Sequence, residues 1–125
     1  MQLKFDASQD FQIQAIEAVA SLLEGQPRVE AGLHFAPGQS TFAAVANRLD
    51  LSEAELLGNL QAVQRANGIT PDSELQCIGE PIETAAGPRE ARFYNFSVEM
   101  ETGTGKTYAY LRTALELYRR YGLRK

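Results

Sequence analysis

The octapeptide METGTGKT, which begins at Met100, is the feature that most constrains how this chain can fold. It matches the Walker A pattern G-x-x-x-x-G-K-[ST] except at its first position, where Met100 replaces glycine. Gly103 and Gly105 can adopt left-handed backbone angles that turn successive N–H groups inward, where they hold phosphate oxygens. Lys106 adds a positive charge at the outer phosphates, and Thr107 offers a hydroxyl to magnesium. This octapeptide, which we call the phosphate loop, therefore predicts binding of a nucleoside triphosphate with Mg²⁺.

A phosphate loop needs a strand before it and a helix after it. The segment RFYNFSVEM alternates in part between apolar and polar residues, and we expect it to be a strand that enters the loop. The segment GKTYAYLRTALELYRRYGLRK is predicted to be a helix, with a basic last turn and Gly122 at its end. A simpler interpretation is a helix N-terminus with a glycine turn and an ordinary surface lysine. The two flanking elements favour nucleotide binding over it.

Two further helices are predicted upstream. DASQDFQIQAIEAVASLLEG has helix-spaced apolar residues, a glycine near its end and three candidates for its cap, which are Asp6, Ser8 and Asp10. In DLSEAELLGNLQAVQRANGI, Ser52 and Glu55 match the capping box and Gly68 is a stop signal. Between this helix and the loop, ELQCIGEPIE is predicted to be a short strand pair and TAAGPRE a turn.

The amino-acid composition limits the classes of protein to which the chain can belong. The chain has 125 residues, 44% hydrophobic and 22% charged, which suits one globular domain. Its net charge of −4 argues against a free-standing basic DNA-binding protein. One cysteine, Cys77, allows no internal disulfide and fits a reducing compartment. There is neither a signal-peptide core nor an apolar run of about 18 residues, so we expect a cytoplasmic protein with no membrane partner.

The residue at position 100 also bears on the choice of family. Helicases of the second superfamily commonly lack the first glycine of the loop, and they carry an upstream glutamine that contacts adenine. Gln12, in DFQIQAIEAV, resembles that element in its Y-Q-x-x-A-I form. Its amide offers a donor and an acceptor to the N6 and N7 edge of adenine, and Phe5 can stack on the base. The alternatives are a solvent-facing helix residue for Gln12 and ordinary core packing for Phe5.

Taken together, LKFDASQDFQIQAIEAV, LLGNLQAVQRANGI and NFSVEMETGTGKTYAYLRTALELYRRYGL resemble the start of the Res subunit of type III restriction enzymes, which are DEAD/DEAH-like helicases. The resemblance implies an α/β fold, an incomplete P-loop NTPase (RecA-like) helicase domain within residues 1–125. A mainly helical insertion at 28–92 would separate the glutamine element from the Walker A loop. Residues 93–125 would form the strand, the loop and the following helix.

The resemblance also implies a function and its residues. The family couples an ATP-dependent DNA translocase to a magnesium-dependent nuclease, and it acts on double-stranded DNA with a modification (Mod) methyltransferase subunit. Gln12 and Phe5 would contact adenine, Lys106 would be the catalytic lysine and Thr107 would bind Mg²⁺. The residues around the phosphates of ATP would be Thr102, Gly103, Thr104, Gly105, Lys106 and Thr107.

The residues after the loop contain no D-E-x-x carboxylate pair, which phosphoryl transfer needs to hold magnesium and orient water. We therefore expect the N-terminal part of a longer enzyme, with neither ATP hydrolysis nor DNA cleavage of its own. We also expect an exposed apolar face on the helix after the loop, with marginal stability or self-association. Two alternatives stay open: a segment of another DEAD/DEAH-like helicase, and a stand-alone module that binds nucleotide without turnover.

Overall fold

The computed structural model describes residues 9–28, 47–101 and 103–124. Within these ranges the chain forms three helices and one two-stranded sheet. Their order is α1 (Asp10–Ser21), α2 (Glu53–Ala66), β1 (Cys77–Thr84), β2 (Gly87–Tyr94) and α3 (Lys106–Tyr121). The predicted mixture of helix and strand is therefore confirmed. The predictions for Phe5 and Thr102, and those of a helix cap at Asp6 or Ser8, lie outside the described residues.

Helix α1 begins without a side-chain cap. Gln9 is its N-cap residue and makes no capping hydrogen bond, whereas Asp10 is the first helical residue, so the prediction of a cap at Asp10 is wrong. A carboxylate in the first turn still interacts favourably with the helix dipole. Three buried residues spaced four apart define the inner face of this helix, and they are Gln12, Ile16 and Ala20.

Helix α2 has the start and the end that its sequence predicts. The Ser52 hydroxyl accepts from the Glu55 N–H at 3.3 Å, and the Glu55 carboxylate accepts from the Ser52 N–H at 2.8 Å. At the other end, Gly68 has φ +69°, and the N–H of Ile69 donates to the carbonyl of Gln64 at 2.8 Å. This is a Schellman motif, which a left-handed glycine makes possible. The capping box and the glycine stop are both confirmed.

Strands β1 and β2 form an antiparallel hairpin whose register runs from Cys77↔Tyr94 to Thr84↔Gly87. The two-residue turn at Ala85 and Ala86 falls inside the predicted turn segment. The prediction that ELQCIGEPIE contains two strands is wrong, because its last seven residues all lie in the single strand β1. The described part of residues 28–92 thus holds one helix and most of a hairpin, and it is not mainly helical.

The strand predicted to enter the phosphate loop does not reach it, so this prediction is wrong for the described residues. Strand β2 ends at Tyr94, and residues 95–101 have no regular secondary structure. The reason is the register, since β1 begins at Cys77, opposite Tyr94. Beyond that pair, the N–H of Asn95 donates to the carbonyl of Gln76 at 2.8 Å. The helix predicted after the loop is confirmed as α3, with a basic last turn and a left-handed Gly122.

Helix α3 packs against α1 with one face and exposes the other. Ala109 and Tyr121 are buried, and the Tyr121 hydroxyl donates to the Ala20 carbonyl at 2.7 Å. On the opposite face, Leu111 is 56% exposed and Leu115 is 65% exposed. The expected exposed apolar face is confirmed, whereas marginal stability and self-association stay predictions. None of the described helices is long and apolar enough to cross a membrane.

The contact between Tyr121 and Ala20 can be tested by removing one hydroxyl. We expect Tyr121→Phe to lower the free energy of unfolding by about 1 kcal/mol, the typical net contribution of such a hydrogen bond. The matched control is Tyr118→Phe, because Tyr118 lies on the exposed face of the same helix. Chemical denaturation measures both variants, and an equal small effect of the two substitutions would show that the buried hydroxyl adds nothing.

Candidate functional site

The phosphate loop has the left-handed glycines that its sequence predicts. Gly103 has φ +81°, and Gly105 has φ +82° with ψ 40°. Thr104 lies between them and closes a turn, since its N–H donates to the Glu101 carbonyl at 3.4 Å and its hydroxyl donates to the same oxygen. Alternation of left-handed residues with ordinary ones is the backbone geometry that gathers N–H groups into an anion-binding concavity.

The loop leads directly into the first turn of α3. Gly105 is the N-cap residue of this helix, and no side chain caps it. Within the described ranges, the backbone N–H groups of Lys106 and Thr107 have no hydrogen-bond acceptor, and both residues are exposed. No carboxylate in the described part of the chain forms a salt bridge with Lys106. A helix N-terminus with open N–H groups and an unpaired lysine is suited to binding an anion.

Gln12 reaches this loop from α1. Its Nε2 donates to the carbonyl of Thr104 at 2.8 Å, and the residue is only 6% exposed. The Oε1 atom of the same amide is buried without a hydrogen-bond partner among the described residues. The orientation of the amide follows from this contact, because a flipped amide would place its oxygen against the carbonyl oxygen. The alternative of a solvent-facing Gln12 is therefore wrong.

Glycine is favoured at position 105 for two separate reasons. Its positive φ disfavours any residue with a Cβ. A Cβ at this position would also collide with Nε2 of Gln12. At Gly103, which has nearly the same φ, a Cβ would meet nothing within 4 Å. The close approach of Gln12 thus distinguishes two glycines that look equivalent in sequence.

The structure brings together Gln12, Thr104 and Gly105, with Lys106 and Thr107 next in the chain. Sequence reasoning predicted these residues as parts of one site, but it missed the direct hydrogen bond between the glutamine amide and the loop backbone. The two partners are 92 positions apart, and no local pattern signals such a contact.

A group of charged side chains near the C-terminus of α3 strengthens its contact with α1. Arg120 pairs with Glu17 of α1 and, at 3.1 Å, with Glu116 of its own helix. The pKa of Glu116 is lowered, first by the hydrogen bond from Arg119 and then by Arg120, while burial opposes the shift. A lowered carboxylate pKa stabilises the fold above the ordinary value of 4.5, and this contribution is lost as the pH falls through the lowered pKa.

Comparison with known proteins gives three relatives of one kind, whereas no family model and no solved structure matches the chain. The Res subunit of the type III restriction-modification enzyme EcoP15I of Escherichia coli is 34% identical over 77 residues, which is 62% of this chain and 7% of the relative. The EcoPI Res subunit of Escherichia phage P1 is 35% identical over 77 residues, again 62% of this chain and 7% of the relative.

The third relative, the StyLTI Res subunit of Salmonella typhimurium, is 61% identical over a shorter stretch of 31 residues, 25% of this chain and 3% of the relative. The chain thus spans less than a tenth of the length of each relative. These matches agree with the resemblance to Res subunits that the sequence of the phosphate loop and of the predicted helices suggests. Over a partial stretch, the chain is therefore a homologue of the Res subunits of type III restriction enzymes.

Proposed function

We propose that this chain is an ATP-binding segment of the DNA-translocating subunit of a type III restriction-modification system. The observation that carries the proposal is the hydrogen bond from Gln12 to the Thr104 carbonyl. It joins the two elements that the sequence predicted to contact the base and the phosphates of one nucleotide. The similarity to Res subunits supports the same assignment.

The residues present fit an adenine nucleotide. Oε1 of Gln12 is a buried acceptor without a partner among the described residues, and the 6-amino group of adenine is a donor that would satisfy it. Nε2 already donates to the Thr104 carbonyl, so the predicted second contact, from the amide donor to N7 of adenine, is not part of the proposal. The left-handed glycines and the uncapped start of α3 are suited to the phosphates. We place Phe5 on the base and Thr102 beside the phosphates as part of the same proposal.

Lys106 and Thr107 would complete the site. The Lys106 ammonium is a mobile positive charge that would neutralise the outer phosphates, and we assign it the catalytic role. The Thr107 hydroxyl would be a ligand of Mg²⁺. No group of three metal-binding side chains is present among the described residues, so the ion would also depend on phosphate oxygens. Bound Mg²⁺ would offset the negative charge of the phosphate groups.

The wider function needs groups that these 125 residues do not include. ATP hydrolysis needs a D-E-x-x pair that the sequence lacks, and DNA cleavage needs nuclease carboxylates. We propose that the segment works within a longer subunit that moves on double-stranded DNA together with a Mod methyltransferase subunit. We expect the 125-residue chain alone to bind ATP without hydrolysing it or cleaving DNA.

The role of Lys106 is tested by its removal. We expect Lys106→Ala to weaken binding of a fluorescent ATP analogue with Mg²⁺ by tenfold or more, since a charge-assisted contact contributes roughly 1.5–3 kcal/mol. The control is Arg65→Ala, which removes an exposed positive charge from the distant helix α2. Titration by fluorescence anisotropy measures both variants. Equal affinities of wild type and Lys106→Ala would refute the assignment of the loop.

The role of Gln12 at the base is tested by comparing two purines. The 6-oxo group of guanine is an acceptor, so it would repel Oε1 where the 6-amino group of adenine donates to it. We expect wild type to bind ATP more tightly than GTP, and Gln12→Ala to reduce that ratio by about tenfold. The control is Gln14→Ala, on the exposed side of the same helix. A preference for ATP that survives in Gln12→Ala would place the base elsewhere.

A further inference from the structure

The two buried glutamines in the described part of the chain differ in how their amides are satisfied. Gln26 and Gln12 are each 6% exposed. The Gln26 amide is paired on both sides, since its Nε2 donates to the Arg48 carbonyl at 2.9 Å and its Oε1 accepts from the Asp50 N–H at 2.9 Å. The Gln12 amide has a partner for its donor, while its acceptor is buried without one among the described residues.

Core packing does not explain a half-satisfied amide at position 12. A buried acceptor without a partner is unfavourable, and an apolar side chain of similar length would fill the same space without that cost. What an apolar side chain could not do is donate to the Thr104 carbonyl. The presence of glutamine at position 12 is therefore explained by its amide N–H, which donates to the backbone of the phosphate loop.

The peptide plane between Thr104 and Gly105 connects this contact to the phosphate site. In a trans peptide the C=O and the N–H of one plane point in opposite directions, and the described chain has no cis peptide bond. When Gln12 holds the Thr104 carbonyl towards α1, the N–H of Gly105 must point away from α1. The neighbouring glycines could otherwise let this plane rotate, because glycine accepts many backbone angles.

We infer that Gln12 is a positioning residue for the phosphate loop: its amide donor fixes the peptide plane between Thr104 and Gly105, so that the Gly105 N–H faces the phosphates. This inference rests on the proposed function and goes beyond the contact with adenine. It concerns the phosphate half of the ligand, and it holds when no base is present.

The test uses a ligand without a base, magnesium tripolyphosphate, and the variant Gln12→Met. Methionine keeps the length and the burial of the side chain but cannot donate to the carbonyl. We expect the 125-residue variant to be about as stable as wild type, because the loss of the bond to Thr104 is offset by removal of the unsatisfied acceptor, and to bind tripolyphosphate about three- to tenfold more weakly. Isothermal titration calorimetry measures the affinity, and chemical denaturation measures the stability.

Gln26→Met is the matched control, because it also replaces a buried glutamine by methionine. Its amide is paired on both sides, so we expect the opposite result: lower stability and unchanged affinity for tripolyphosphate. If Gln12→Met binds tripolyphosphate as wild type does while Lys106→Ala does not, the inference is overturned and the proposed function stands. If wild type binds neither tripolyphosphate nor ATP, the inference about Gln12 and the proposed function are both refuted. Binding of ATP without tripolyphosphate also overturns the inference, because a loop already held by Gln12 does not need the base.

A second measurement tests the contact without any ligand. Gly105→Ala introduces a Cβ that collides with Nε2 of Gln12, whereas Gly103→Ala meets nothing within 4 Å at nearly the same φ. We expect Gly105→Ala to lower Tm by several degrees less in a Gln12→Ala background than in wild type. Gly103→Ala should lower Tm equally in both backgrounds. Equal effects of Gly105→Ala in the two backgrounds would show that the amide does not lie against the loop.

Discussion

The contact between α1 and α3 is the constraint on which the rest of the site depends. Near the start of both helices, Gln12 donates to the Thr104 carbonyl, and near their ends the Tyr121 hydroxyl donates to the Ala20 carbonyl. Two side-chain hydrogen bonds to backbone, far apart along α3, fix both its position and its rotation against α1. Because the phosphate loop is continuous with α3, its position relative to Gln12 is fixed by the same contact.

Local sequence signals predicted the elements around the site well. The start of α2 depends on Ser52 and Glu55, and its end depends on Gly68. The left-handed conformation of Gly103 and Gly105 likewise follows from the residue type and the position in the motif. Each of these features is determined within about one helical turn, so the sequence contains the information in one short window. Both ends of α2 and the start of α3 could be predicted for this reason.

Features that depend on distant partners could not be predicted in the same way. In RFYNFSVEM the apolar and polar residues alternate after Tyr94, yet β2 stops at that residue because β1 begins at Cys77. The length of a strand in a hairpin is determined by its partner, and composition near the loop does not contain that information. The same holds for Gln12, whose place in a motif predicted a contact with a ligand but not the hydrogen bond to the loop itself.

Exposure divides the residues of the site into two groups. Lys106 and Thr107, which would contact the phosphates and Mg²⁺, are exposed at the start of α3, whereas Gln12 is buried beneath the loop. An exposed lysine on a flexible stem can follow a ligand, but it cannot determine the direction of backbone N–H groups. A buried amide with one fixed partner can, because its movement is restricted by the surrounding packing. The charge of the phosphate loop and its backbone conformation therefore depend on different helices. Helix α3 supplies the positive charge, and α1 supplies the contact that orients the backbone of the loop.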